Sequence, residues 1–230
     1  RSNYRKYPNL LIMASIPPYQ IMKLGQIDYL RAWQIQREVA EDVRLGNQSN
    51  TVILLEHPHV YTRGRLADPK HILLTQQQLT DLDINLVDTD RGGLITYHGP
   101  GQLIAYPIIN LRTWGGPLKY VRALEKIIIA TLSDFNIEAN CISGLTGVWV
   151  NNAKIAAIGV KISQGITFHG LSINVNTDLS YFKNIVPCGI SDKEITSMEE
   201  QLSVKIDHRK VEDTLACHFG QIMGFHFRHQ

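Results

Sequence analysis

Apolar and polar positions change period several times along this chain, and each change marks an element. Residues 25–45, "GQIDYLRAWQIQREVAEDVRL", set Leu30, Trp33, Val39, Ala40 and Val43 near one helical face, with Gly46 as a stop. "TVILLE" (51–56) is a short continuous apolar run, the pattern of a buried strand, and "HPHVYTRGR" after it reads as a loop and short strand. "TQQQ" (75–78) has the Thr-x-x-Gln form of a capping box and predicts a short helix, while "INLVDTD" (84–90) predicts another strand. Pro107 within "QLIAYPIINL" (102–111) argues for a strand edge or bend, because proline has no N–H for a ladder.

Helical spacing returns over 115–135, with Pro117 at the start and Val121, Leu124, Ile128 and Leu132 along one stripe. "VNNAK" predicts a hairpin turn between "GVWV" and "KIAAIGVKIS", with "ITFHGLSINV" (166–175) as a partner strand. Thr196 and Glu199 of "TSMEEQL" suggest a second capping box, and 207–223 reads as a final amphipathic helix. Strands in hairpin relation mixed with helices predict an α+β or mixed α/β fold, not an alternating wound sheet.

Composition narrows the function classes. A chain of 230 residues suits one domain with a real core, and 44% apolar with 19% charged residues is globular. A net charge of +2 without a dense Lys/Arg block argues against nucleic acid as partner. No apolar run approaches the roughly 18 residues of a membrane span, so no membrane role is expected. Cys141, Cys188 and Cys217 have no CxxC spacing, so neither a disulfide framework nor a zinc site is indicated, which favours a reducing compartment. We expect a cytoplasmic protein, with organelle targeting left open by the basic, acid-free start.

Candidate chemistry concentrates in three stretches. "RGGLITYHGPGQL" (91–103) holds five Gly or Pro among thirteen residues; such density lets backbone approach a ligand with its N–H groups available. Its bland alternative is a tight hairpin with a polar tip. "KIAAIGVKI" (154–162) carries Lys154 and Lys161, which face opposite sides of a regular strand, and small residues that leave room above a sheet. Lys161 reads as a solvated strand end, and His169 of "TFHG" ranks below Lys154. "IVPCGI" (185–190) sets Cys188 on a turn shaped by its Pro and Gly neighbours. A lysine beside a cysteine would favour the thiolate and handle protons in acyl transfer, and backbone N–H groups would hold the oxyanion. Spacing alone does not pair Lys154 with Cys188.

"RGGLITYHGPGQLIAYPI", "KIAAIGVKI" and "HGLSINVNTDLSYFKNIVPCGI", with "LLEHPHVYTRGR" (54–65) upstream, together resemble the lipoyl(octanoyl) transferase, or lipoate–protein ligase B, family. The resemblance runs in matching order from about residue 20 to about residue 225. It implies a single domain over 20–230, after an extension at 1–19, with a mixed β-sheet packed by helices as in biotin and lipoate protein ligases. It also implies transfer of an octanoyl or lipoyl group from acyl carrier protein, through a cysteine thioester, to a lysine of a lipoyl domain. Implied recipients are 2-oxoacid dehydrogenase E2 subunits and the glycine-cleavage H protein, with no ATP or metal cofactor and a monomeric enzyme. Cys188 falls on the family's nucleophile and Lys154 on its paired lysine. Arg91, Gly92, Gly93, Leu94, Ile95, Thr96, Tyr97 and His98 fall on substrate-contacting residues, as do Ala157, Ile158, Gly159, Gly170, Leu171 and Ser172. Two residues depart locally: Leu94 replaces a usual polar residue, and Ser172 stands where Ala is common. Cys141 and Cys217 remain structural thiols. The alternatives are an ATP-dependent lipoate or biotin-type ligase, a lipoyl-domain amidotransferase, and a non-catalytic protein that binds either partner.

Overall fold

The computed structural model describes residues 18–186 and 194–227. Its first half runs β1 (Pro18–Gln26), α1 (Tyr29–Leu45), β2 (Asn50–Glu56), β3 (Val60–Arg63), α2 (Gln76–Asp81), β4 (Asn85–Asp88), β5 (Ile95–His98) and β6 (Gln102–Ile108). The second runs α3 (Pro117–Ser133), β7 (Asn140–Ile142), β8 (Leu145–Val150), β9 (Ala153–Ser163), β10 (Ile166–Asn174), β11 (Glu194–Ile195), α4 (Met198–Leu202), α5 (His208–Met223) and β12 (His226–Phe227). A large mixed sheet has the order β12-β1-β2-β6-β10-β9-β8-β7, with β11 pairing β9, and a small sheet has the order β4-β3-β5.

The large sheet is packed on both faces, which explains the unbroken apolar run in β2. Val52 and Leu54 join the cluster under α3 and α5, while Ile53 and Leu55 join that under α1. A third, smaller cluster ties the small sheet to Phe182 and Ile185. Asp28 caps α1 by accepting from Leu30 and Arg31 N–H, and Gly46 ends it in the left-handed region that residues with a Cβ avoid. The Thr75/Gln78 capping box forms as expected, and Pro117 opens α3.

Three local expectations are corrected. Leu30 is 55% exposed, because the buried face of α1 is Tyr29, Ala32, Gln36, Val39, Ala40 and Val43. The cap of α4 is Ser197, which accepts from Glu200 N–H, one residue after the Thr196/Glu199 pair; Thr196 instead donates its hydroxyl to the Glu200 carboxylate. Pro107 lies in an interior strand, paired with Val52 on β2. On its other side the β6–β10 register ends at Ala105, and His169 adopts φ +57°. The missing N–H falls at that interruption, and Thr167 Oγ donates to the Pro107 carbonyl instead, at 2.6 Å. Among the described residues, no helix is long and apolar enough to cross a membrane.

Candidate active site

The Gly-rich passage forms a wall facing β9 and β10. Arg91 is buried and anchored from within: its Nη2 donates to the Thr62 carbonyl at 2.6 Å and to Thr62 Oγ at 2.9 Å, and its Nη1 to the Gly92 carbonyl at 2.9 Å. Gly92 N–H then donates to the Val160 carbonyl, which docks the loop onto β9. Opposite, a Cβ on Gly170 would stand 2.1 Å from the Ala105 carbonyl oxygen, so only glycine lets β10 approach β6 there.

Between these walls lies a cavity of about 590 Å³, a size suited to a small ligand. Its lining includes Arg91, Gly92, Gly93, Leu94, Ile95, Thr96 and His98 from the Gly-rich passage, Ala157, Ile158 and Gly159 from β9, and Gly170, Leu171 and Ser172 from β10. Lys154 lines it too, only 7% exposed, with its Nζ 4.8 Å from the centroid of the Trp149 ring. A Cβ on Gly147 would come within 3.3 Å of Lys154 Cε, so that glycine leaves the space the lysine stem occupies.

Tyr97 stands apart from this set. Its ring turns into the small core, stacked on Tyr181 at 4.9 Å, and its hydroxyl is hydrogen-bonded with His59 Nδ1 at 2.8 Å. Alternation along β5 gives the physical reason: Thr96 and His98 face one way and Tyr97 the other. Residues that the motif reading missed also line the cavity, among them Tyr29, Tyr106, Val121, Trp149, Asn174 and Ile195. His169, ranked low, lines it as well. Only the position of Asn174 just after "HGLSI" offered a signal for any of them. Lys161, read as a solvated strand end, pairs with Asp90, whose other oxygen lies 2.8 Å from His169 Nε2.

Three buried histidines gather at this site, each disfavoured in its charged form. Burial pushes His57 down to about 4, drives His98 well below the ordinary histidine range, and lowers His169 despite its bond to Asp90. His57 Nδ1 donates to the Ile27 carbonyl at 2.7 Å, so its Nε2 accepts from Tyr106 O–H at 2.8 Å. Burial also raises the Tyr29 hydroxyl to about 12. Although partial burial works the other way, bonds from Lys161 and His169 hold the Asp90 carboxyl below its usual range.

Cys188 lies outside the described residues. The chain on either side is tied down: Val186 N–H donates to the His71 carbonyl, Ile195 pairs with Lys154, and Thr196 N–H donates to the Lys154 carbonyl at 2.9 Å. Among the described residues, no group of three or more His, Cys, Asp or Glu is arranged to hold a metal ion.

Residues 28–220 match the family described as lipoyl protein ligase A/B catalytic domain. The chain belongs to that family. Members similar to it include proteins named octanoyltransferase from Solibacter usitatus, 47% identical over 89% of this chain and 93% of the relative, and from Koribacter versatilis, 44% identical over 88% and 83%. Among solved structures, a lipoate-protein ligase A bound with ATP superposes with a TM-score of 0.75, covering 93% of this chain and 88% of that one, at 13% identity. At that identity the superposition speaks to the fold of the family alone.

Proposed function

We propose that Cys188 and Lys154 are the dyad through which this chain, an acyltransferase of lipoylation, moves its octanoyl group. The similarity to octanoyltransferases over most of both chains supports transfer over ATP-dependent ligation. The observation that carries the dyad is the setting of Lys154, a nearly buried amine on the wall of a largely apolar cavity and hydrogen-bonded, through its backbone, to the strand that follows the cysteine segment. Glu194, whose neighbour Ile195 pairs with Lys154, comes six positions after Cys188 in the chain, a reach of at most roughly 20 Å.

In this reading the Cys188 thiolate, favoured by the Lys154 ammonium, attacks the thioester carbonyl of octanoyl acyl carrier protein. The carrier C–S bond breaks, and Lys154 returns the proton to the departing pantetheine sulfur. The ε-amine of a lipoyl-domain lysine then attacks the enzyme thioester. A C–N bond forms, the bond to Cys188 breaks, and a proton returns to the cysteine. The apolar lining around Leu94, Ile158 and Leu171 holds the acyl chain, while backbone N–H groups of the Gly-rich passage receive the oxyanion. Neither ATP nor a metal has a part in these steps, and the cytoplasm is the compartment that suits a free catalytic thiol. The recipients proposed are the E2 and H-protein lipoyl domains.

The test is intact-protein mass after mixing with octanoyl acyl carrier protein in the absence of ATP. A hydroxylamine-labile octanoyl adduct on the native protein, absent from Cys188→Ala, is expected. No adduct under single-turnover conditions would sink the thioester route.

A further inference from the structure

A chain of buried amides between the cavity and Lys154 sets the protonation of His98. The Thr196 carbonyl can only accept, so Asn174 Nδ2 donates to it, at 2.9 Å, and Asn174 Oδ1 is an acceptor. Gln102 Nε2 donates to that oxygen at 2.9 Å and to the Tyr97 carbonyl at 3.2 Å. Gln102 Oε1 must then accept, and its partner at 2.7 Å, His98 Nδ1, must carry the hydrogen. Two backbone carbonyls thus fix the direction of the whole chain, and His98 Nε2 is left as a bare lone pair.

Its neighbours differ in that respect. His57 Nε2 is used by Tyr106, and His169 Nε2 by Asp90. Among the described residues His98 Nε2 has no hydrogen-bond partner, yet His98 lines the cavity. A lone pair there calls for a substrate N–H or O–H. The octanoyl chain has neither, whereas the amine that attacks its thioester has two N–H groups.

We infer that His98 is a further catalytic residue of the octanoyl transfer: its Nε2 accepts a hydrogen bond from the neutral ε-amine of the recipient lysine as that amine attacks. The inference rests on the Cys188 thioester described above. The ammonium first loses one proton to water. As the C–N bond forms, positive charge grows on nitrogen and the bond to Nε2 strengthens, so the gain is larger in the transition state than in the ground state. The C–S bond to Cys188 then breaks, one amine hydrogen passes to that sulfur, and the other stays as the amide N–H. His98 remains neutral throughout, in keeping with its burial.

The test separates the two half-reactions in the full-length protein. Native protein, His98→Asn and His98→Gln are first acylated by octanoyl acyl carrier protein, then exposed either to a lipoyl domain or to hydroxylamine, with intact mass as the readout. Asn keeps a donor for Gln102 but has nothing at the Nε2 position, whereas Gln restores an acceptor of similar reach. For His98→Asn, acylation and hydroxylamine release are expected within about threefold of native, and transfer to lysine about 100-fold slower, the scale of one lost transition-state hydrogen bond. His98→Gln should recover about tenfold of that loss. Gln102→Met, which frees the tautomer without touching His98, should slow lysine transfer alone by about tenfold. Unchanged lysine transfer in both His98→Asn and Gln102→Met would overturn the inference. So would an equal loss in acylation or in hydroxylamine release, since that marks a structural role or a contact with the carrier's pantetheine arm. A native protein that forms no adduct would instead remove the thioester on which the inference stands.

Discussion

Strands β2 and β6 on one side, and β9 and β10 on the other, are neighbours in one sheet and are used in opposite ways. β2 and β6 are filled: Val52, Ile53, Leu54, Leu103 and Ile104 have no exposed surface, and helices cover both faces. β9 and β10 carry small residues such as Ala157, Gly159 and Ser172 along the cavity wall, where larger side chains would fill it. One half of the sheet spends its side chains on packing, and the other withholds them so that a ligand can complete the layer. The same contrast predicts which substitutions harm stability and which harm activity.

The largest effect should come from opening a hole in the filled half. Leu54 is fully buried in the cluster beneath α3 and α5. Leu54→Ala is expected to lower stability by about 3 kcal/mol, from lost transfer energy plus the cavity left behind. The rate per folded molecule should change little, because Leu54 does not line the site. Urea unfolding alongside transfer assays at 20 °C checks both halves of that statement. A large loss of activity in the folded fraction would mean the two regions are not separable.

Acid should distinguish the regions without any substitution. The buried aliphatic side chains of β2 and β6 do not titrate, whereas neutral histidines are packed in and around the cavity. His57 is depressed from about 6.5 in an unfolded chain to about 4 when folded, so its stabilisation is complete above pH 6.5 and is lost as pH falls towards 4. That one residue is worth roughly 3 kcal/mol across the window, at about 1.4 kcal/mol for each pH unit of displacement. His98 and His169, also depressed, add in the same direction. Carboxylates such as Asp90, held below their usual range, act only at lower pH. Urea midpoints at pH 7.5, 6.0 and 5.0 measure the slope, and a flat profile would mean that these rings take up protons without loss of the fold.

The two halves also differed in how legibly they were written. The filled half was read from periodicity, since "TVILLE" and the stripe through Leu124, Ile128 and Leu132 have one physical meaning each. Pro107 misled because its cost depends on what lies across the strand, and the interruption of β10 at His169 is a tertiary fact. The motifs brought Lys154 and the Gly-rich passage forward. Pattern alone could not turn Tyr97 away from the cavity, nor gather His57, His98 and His169, which stand 112 residues apart at their extremes and meet only through folding. The orientations of Asn174 and Gln102 were not legible for a similar reason: an amide says nothing of its orientation until carbonyls surround it.

The smallest effect on stability should come from adding side chain where β9 has withheld it. Ala157 lines the cavity opposite Ser172, its partner across the β9–β10 ladder. Ala157→Leu brings three carbons into space the substrate would occupy while disturbing no buried packing, so the melting temperature should hold. In an apolar pocket each methylene gained or lost is worth roughly 1–3 kcal/mol, so three added carbons should slow octanoyl transfer by about 100-fold or more. Shorter acyl groups on the same carrier should lose less, shifting the preferred length downwards. Single-turnover acylation with butanoyl, hexanoyl and octanoyl carriers gives the answer. An equal loss for all three would move the acyl chain away from Ala157, and a fall in stability would show that this face of β9 belongs with the filled half of the sheet.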